Sequence, residues 1–298
     1  MKRIALFIVA TLVSQFSFAS NSPAFWQLTK KDHATLHILG SIHVGSAKLY
    51  PLPDHIEQAY NDASQLIVEV DMSRVTKSDL QEVQRLTHLP NPQKLADVMP
   101  IEQYRALKAM LKPLGLNRPE VKALQPWFVI ISAMHLKLEQ MGYLAAMGID
   151  QHFIQNANKA NKPIIQLENM QKQIWYMSQL AQESEQFVEQ SMKELAQIDQ
   201  LAPHLLQAWS EGDLSKLSAL LVLKDQPETS LNAFQAMMSE RNQDWFEQLI
   251  ALPVENNAFV VVGALHLTGQ SNLIQLLEQA GYQVTRLPLD AESLDIKD

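Results

Sequence analysis

Two rhythms of apolar residues run along this 298-residue chain. Short, dense, β-branched runs read as strands, and stretches with apolar positions every three or four residues read as helices. Near the start, Phe25-Trp26-Gln27-Leu28 and residues 35–39 flank the polar stretch Lys30-Lys31-Asp32-His33, which predicts a hairpin. Pro53 and Asp54 open a helix to about residue 63, and residues 65–70 read as a buried strand. Helical periodicity fills residues 78–143, punctuated by Pro113, Pro119 and Pro126. A helix over 148–160 and a short strand over 164–167 follow. Residues 170–252 read as a run of helices with breaks at Pro203, Gly212 and Pro227. Residues 258–262 carry the strongest buried-strand signal, before a helix over 272–280 and a last strand over 282–287.

Strands alternating with helices predict an α/β fold with a central, mainly parallel sheet of about five or six strands, an N-terminal hairpin and helical cover. The run 170–252 is too long for one crossover and reads as a helical insert within a single domain over residues 20–298. Residues 1–19 stand apart. Lys2 and Arg3, an apolar stretch over 4–13 and the small residues of Ser17-Phe18-Ala19 have the form of a secretory signal. Cleavage near Ala19 would leave the protein periplasmic or secreted. An apolar run of about ten residues falls short of the about twenty that span a bilayer, so no stable membrane anchor is expected.

Composition then removes whole classes of chemistry. The chain has no cysteine, which excludes disulfides, thiolate metal sites and cysteine nucleophiles. Its net charge is −8, and it has no block of Lys and Arg, so nucleic acid and anionic lipid are not expected partners. Nine glycines are few for a turn-rich β fold, so each of them needs a reason.

Four of those glycines fall in one repeated pattern. Gly40-Ser41-Ile42-His43 with Gly45, and Gly263-Ala264-Leu265-His266 with Gly269, each follow an apolar strand and precede a helix. Nine glycines and nine histidines in a chain this long give well under one Gly-x-x-His spacing by chance. Ligands in open α/β sheets sit outside the carboxyl ends of the strands, where both histidines are expected. Glu69 and Asp71 end the strand 65–70 on one face, and Glu168 ends the strand 164–167. Two imidazoles and one or two carboxylates suit a divalent ion such as zinc, manganese or cobalt and leave a position for water. Taken singly, each histidine reads more readily as a packed side chain with one hydrogen bond than as a ligand; it is the convergent set that points to a functional site. Arg241 reads either as part of a solvated helix face, paired with Asp244, or as a group for a substrate anion or oxyanion. His-Glu-x-x-His, the Walker loop, Gly-x-Gly-x-x-Gly and Gly-x-Ser-x-Gly are absent.

At these residues the chain resembles the TraB/PrgY/GumN family, which includes the TIKI metalloproteases. The likeness rests on 39–45 and 262–269, and on Val68-Glu69-Val70-Asp71, Pro126-Trp127 and Gly148-Ile149-Asp150. It extends to Lys162-Pro163 with Leu167-Glu168, and to Arg241-Asn242 with Trp245. The resemblance implies an active site with His43, His266 and Glu69 as metal ligands. Glu69, Glu168 and Arg241 would be catalytic, with Arg241 and Asn242 binding substrate. The expected activity is a metal-dependent, peptidase-like hydrolysis of a peptide or small molecule in the extracytoplasmic space. The alternatives are a non-catalytic protein that binds a peptide or glycan in the same cleft, and metal-free acid–base hydrolysis of a small ester.

Overall fold

A computed structural model describes residues 22–183, 185–221 and 228–287. The expected signal segment, residues 1–19, and Pro227 lie outside them. Six strands form one mixed sheet: β1 (Phe25–Thr29), β2 (Leu36–Ser41), β3 (Gln65–Val68), β4 (Ile164–Gln166), β5 (Ala258–Gly263) and β6 (Gln283–Leu287). Their order is β4-β3-β5-β2-β1-β6. The four strands β4, β3, β5 and β2 run parallel, and the hairpin strand β1 pairs antiparallel with both β2 and β6. The α/β architecture, the hairpin and the mainly parallel sheet are therefore as the hydrophobic pattern predicts.

Eleven α-helices are seen among the described residues. The first six are α1 (Asp54–Asp62), α2 (Lys77–Thr87), α3 (Leu95–Val98), α4 (Ile101–Leu111), α5 (Pro126–Gln140) and α6 (Ile149–Ala160). The others are α7 (Met170–Glu183), α8 (Glu185–Ser210), α9 (Leu214–Leu221), α10 (Glu228–Ile250) and α11 (Leu273–Gln279). Alternation along each strand feeds two cores. Leu39, Leu66, Phe259 and Val261 face α1 and α6, while Ile38, Ile67, Val260 and Val262 face Trp245 and Leu249 of α10 and Leu273 of α11. A third cluster lies among α3, α4, α5 and α8, away from the sheet.

Two local expectations change. Helix α8 runs through Pro203 without ending there. Packing of Ala202, Ala208 and Trp209 on either side holds the helix across the one backbone bond that proline removes. Strand β3 stops at Val68, so Glu69 and Asp71 do not share a strand face. Asp71 instead caps the short turn Met72–Arg74, its carboxylate accepting from the backbone and hydroxyl of Ser73. No helix among the described residues is long and apolar enough to cross a membrane.

Candidate functional site

Strands β2 and β5 are parallel neighbours, with Gly40 beside Val262 and Ser41 beside Gly263. That register sets the two Gly-x-x-His loops side by side at the carboxyl end of the sheet. His43, Glu69, Arg241 and His266 all line one cavity of about 530 Å³ there. Glu168 lies beneath Arg241, and Asn242 behind His266.

Glu69 leaves β3 and reaches under β5. Its Oε1 accepts from the Gly263 N–H at 2.6 Å, and its Oε2 accepts from Gln173 and from Arg241, each at 3.1 Å. A Cβ on Gly263 would stand 3.1 Å from Glu69 Oε1, so the carboxylate's close approach favours glycine there. Arg241 also grips Glu168 through two nitrogens, at 2.6 and 3.2 Å. One guanidinium thus bridges two carboxylates, all three side chains being buried. Burial works against the Glu69 charge, but the positive groups around it, His43 and Arg241, and the Gly263 N–H outweigh it and hold the carboxyl below its ordinary range. For Glu168 burial prevails over Arg241 and raises its pKa.

Each histidine is oriented through Nδ1. Asn242 Oδ1 lies 2.6 Å from His266 Nδ1, while the Asn242 amide nitrogen donates to the carbonyls of His266 and Ser271. With its nitrogen committed to two carbonyls, the amide can offer His266 only its oxygen. His266 therefore carries its proton on Nδ1 and keeps a lone pair on Nε2. That Nε2 faces Glu69 Oε1 at 3.9 Å. Burial, against the pull of Glu69, lowers the His266 pKa to about 3, so the ring is neutral. Its face lies against Trp245, with ring centroids 4.0 Å apart, and Arg241 lies over the same indole at 4.9 Å. Arg241, Asn242 and Trp245 share one stretch of α10, where residues four apart meet on a face.

His43 is held differently. Its Nδ1 lies 3.1 Å from Asp150 Oδ2, and Asp150 Oδ1 accepts the Ser41 hydroxyl. The carboxylate beside it raises the His43 pKa. The His43 side chain remains 66% exposed, opening on the cavity. Gly148 makes this arrangement possible, because α6 starts against the first loop and a Cβ there would lie 2.5 Å from the His43 carbonyl oxygen.

The donor set fits a divalent ion in its chemistry. Both rings are tethered through Nδ1 with Nε2 left over, the arrangement that orients metal-bound imidazoles. Glu69 Oε1 and His266 Nε2 are two electron-pair donors facing each other. Among the described residues, however, no three His, Asp or Glu side chains are gathered closely enough to hold an ion as they stand. Asp150, Ser41 and Gln173 have no assigned role in the sequence reading. Asp150 stood in plain view in Gly148-Ile149-Asp150, but nothing local ties it to a histidine 107 residues away. The expected Arg241–Asp244 pair does not form; Asp244 pairs with Lys172.

Several known proteins are similar to this chain over most of its length. The uncharacterized protein YbaP of Escherichia coli K12 is 29% identical over 252 residues, covering 84% of this chain and 90% of its own length. YbaP of Shigella flexneri is 29% identical over 243 residues, covering 81% and 87% respectively. Metalloprotease TIKI2 of Xenopus tropicalis is 23% identical over 314 residues, covering 87% of this chain and 59% of its own. No solved structure matches. The model of the TraB/PrgY/gumN family matches residues 24–286, a span that takes in nearly all of the described chain, and the protein belongs to that family.

Proposed function

We propose that this protein is a metal-dependent hydrolase, peptidase-like, that cleaves amide or ester bonds at the sheet edge lined by His43, Glu69 and His266. It would act in the periplasm or outside the cell, after loss of residues 1–19. The observation that carries the reading is the lone pair of His266 Nε2 held 3.9 Å from a carboxylate oxygen, with the ring's one proton committed to Asn242. The distant likeness to a protein named as a metalloprotease supports it.

His43, His266 and Glu69 would hold a zinc, manganese or cobalt ion. Such an ion supplies an activated water and polarises the scissile carbonyl. Asn242 keeps the proton of His266 on Nδ1, which leaves Nε2 free to bind. Arg241 fixes Glu69 and also faces the cavity, where it stabilises negative charge on a substrate oxygen. Glu168 positions Arg241 through its two hydrogen bonds.

The test compares wild type with His43→Ala and His266→Ala for metal content, metal affinity and chelator-sensitive cleavage of a peptide library. Wild type should bind the ion at micromolar concentration or tighter, and each substitution should weaken binding at least about tenfold. Affinity should also fall in acid, since only neutral imidazole coordinates. Absence of micromolar binding to wild type sinks the proposal. The Asp150–His43 pair favours a second reading, metal-free acid–base hydrolysis, which turnover resistant to chelators would select.

A further inference from the structure

The polar cluster lies between two unlike spaces. On one side is a cleft of about 210 Å³ where His43, Glu69, Asp150, Gln151 and Gln173 stand among the apolar Val68, Val70, Met72 and Ala145. On the other the 530 Å³ cavity runs back among α5, α7, α8, α9 and α10, and beyond the cluster its walls are apolar. Trp127, Phe128, Met177, Leu205, Phe234 and Met237 are typical of them. A cavity of that size holds a whole small-molecule moiety.

The walls discriminate between apolar occupants. Beyond the two loops that carry the polar cluster, residues 42–44 and 264–266, they are side chains from five helices, whose backbone groups pair along each helix. The sheet reaches the cavity through the ends of β2 and β5, which are inner strands paired on both sides. A peptide lodged among those helices would bury its own N–H and C=O groups without partners, which disfavours it. A hydrocarbon chain brings no such groups. Methionines in the wall adapt to a flexible chain, since the thioether side chain is unbranched and has several rotors.

We infer that the substrate is an acyl-chain amphiphile. Its hydrocarbon tail fills the 530 Å³ chamber, its scissile acyl carbon lies at His43, Glu69 and His266, and its polar remainder occupies the 210 Å³ cleft. The inference rests on the hydrolase reading above and narrows its substrate. Hydrolysis breaks the acyl C–N or C–O bond and joins the water oxygen to the acyl carbon. The chain leaves as a carboxylic acid, and the remaining water proton goes to the released amine or alcohol.

The experiment titrates full-length protein with saturated carboxylates from butanoate to dodecanoate, and then assays acetyl and dodecanoyl p-nitroanilides in the presence of zinc, manganese or cobalt. Affinity should rise about two- to fourfold for each added methylene until the chamber is full. Met177→Trp, which narrows the chamber, should weaken dodecanoate binding at least tenfold; if that variant does not fold, the wild-type series decides alone. A flat series, or tighter binding of a leucine-rich pentapeptide than of dodecanoate, overturns the inference. Rising affinity without release of p-nitroaniline supports the acyl chamber and counts against the hydrolase. Peptide cleavage with a flat series does the reverse.

Discussion

Arg241 carries one positive charge between two carboxylates that have almost no contact with water. Removing one partner of such a cluster costs far more than the cluster contributes net, because the remaining charges stay buried and uncompensated. Arg241→Ala should therefore lower stability by about 3–5 kcal/mol, read as a fall in the urea midpoint. Arg241→Lys should recover only part of this, since an ammonium cannot reproduce the two-nitrogen grip on Glu168. A loss below about 1 kcal/mol in Arg241→Ala would show that the cluster is solvated and would remove its positioning role. At this scale the donors were legible. His43, His266, Glu69 and Glu168 announce themselves as polar residues at the ends of apolar runs. The roles of their partners were not: Asn242, expected to bind substrate, is buried and holds His266 instead, and Gln173 and Asp150 lie on helices, where a lone polar residue has no local signature.

Among the elements, the first Gly-x-x-His loop is shaped by the helix that follows much later. The N–H of Ile149 at the start of α6 donates to the Ile42 carbonyl, and Gly45 and Leu144 exchange backbone hydrogen bonds. Gly148 sits in the seam with an ordinary negative φ, so its requirement is space and not backbone conformation. Gly148→Ala would drive a Cβ into the His43 carbonyl, a backbone atom that cannot swing aside. The expected cost is about 1–3 kcal/mol, with loss of the His43–Asp150 contact. Thermal unfolding and the NMR titration of His43 should both register it. An unchanged midpoint together with an unchanged His43 titration would show that α6 does not position the loop. The strands themselves could be read to within about two residues, since period-two alternation is a local property. The end of β3 and the continuation of α8 through Pro203 could not, because tertiary contacts decide where a marginal element stops.

Across the whole molecule, stability should fall on the acid side. His37 and His55 both pack against the Phe25 ring, and burial lowers both pKa values against weaker pulls from Asp62 and Asp54. A base that is neutral in the folded chain and protonates more readily when unfolded leaves stability unaffected above its unfolded pKa, about 6.5. Below that pH the unfolded chain binds the extra protons, and stability drops by up to about 1.4 kcal/mol per pH unit for each histidine. Urea unfolding between about pH 6.5 and pH 5 should show this decline, to which the buried neutral His266 adds. Phe25→Leu, which opens the packing around both rings, should make the decline shallower, and an undiminished slope would assign it to other groups. The amino-acid order by itself determined the elements, the mainly parallel sheet, the repeated loop and the residue types at the strand ends, all of which follow from the spacing of near neighbours. Only the tertiary structure decided that one guanidinium on α10 bridges two strand-end carboxylates, that Asn242 sets the His266 tautomer and that an apolar chamber opens behind the polar cluster. Those facts depend on groups far apart in sequence and brought within a few ångströms, and no local pattern of polar and apolar residues records that approach.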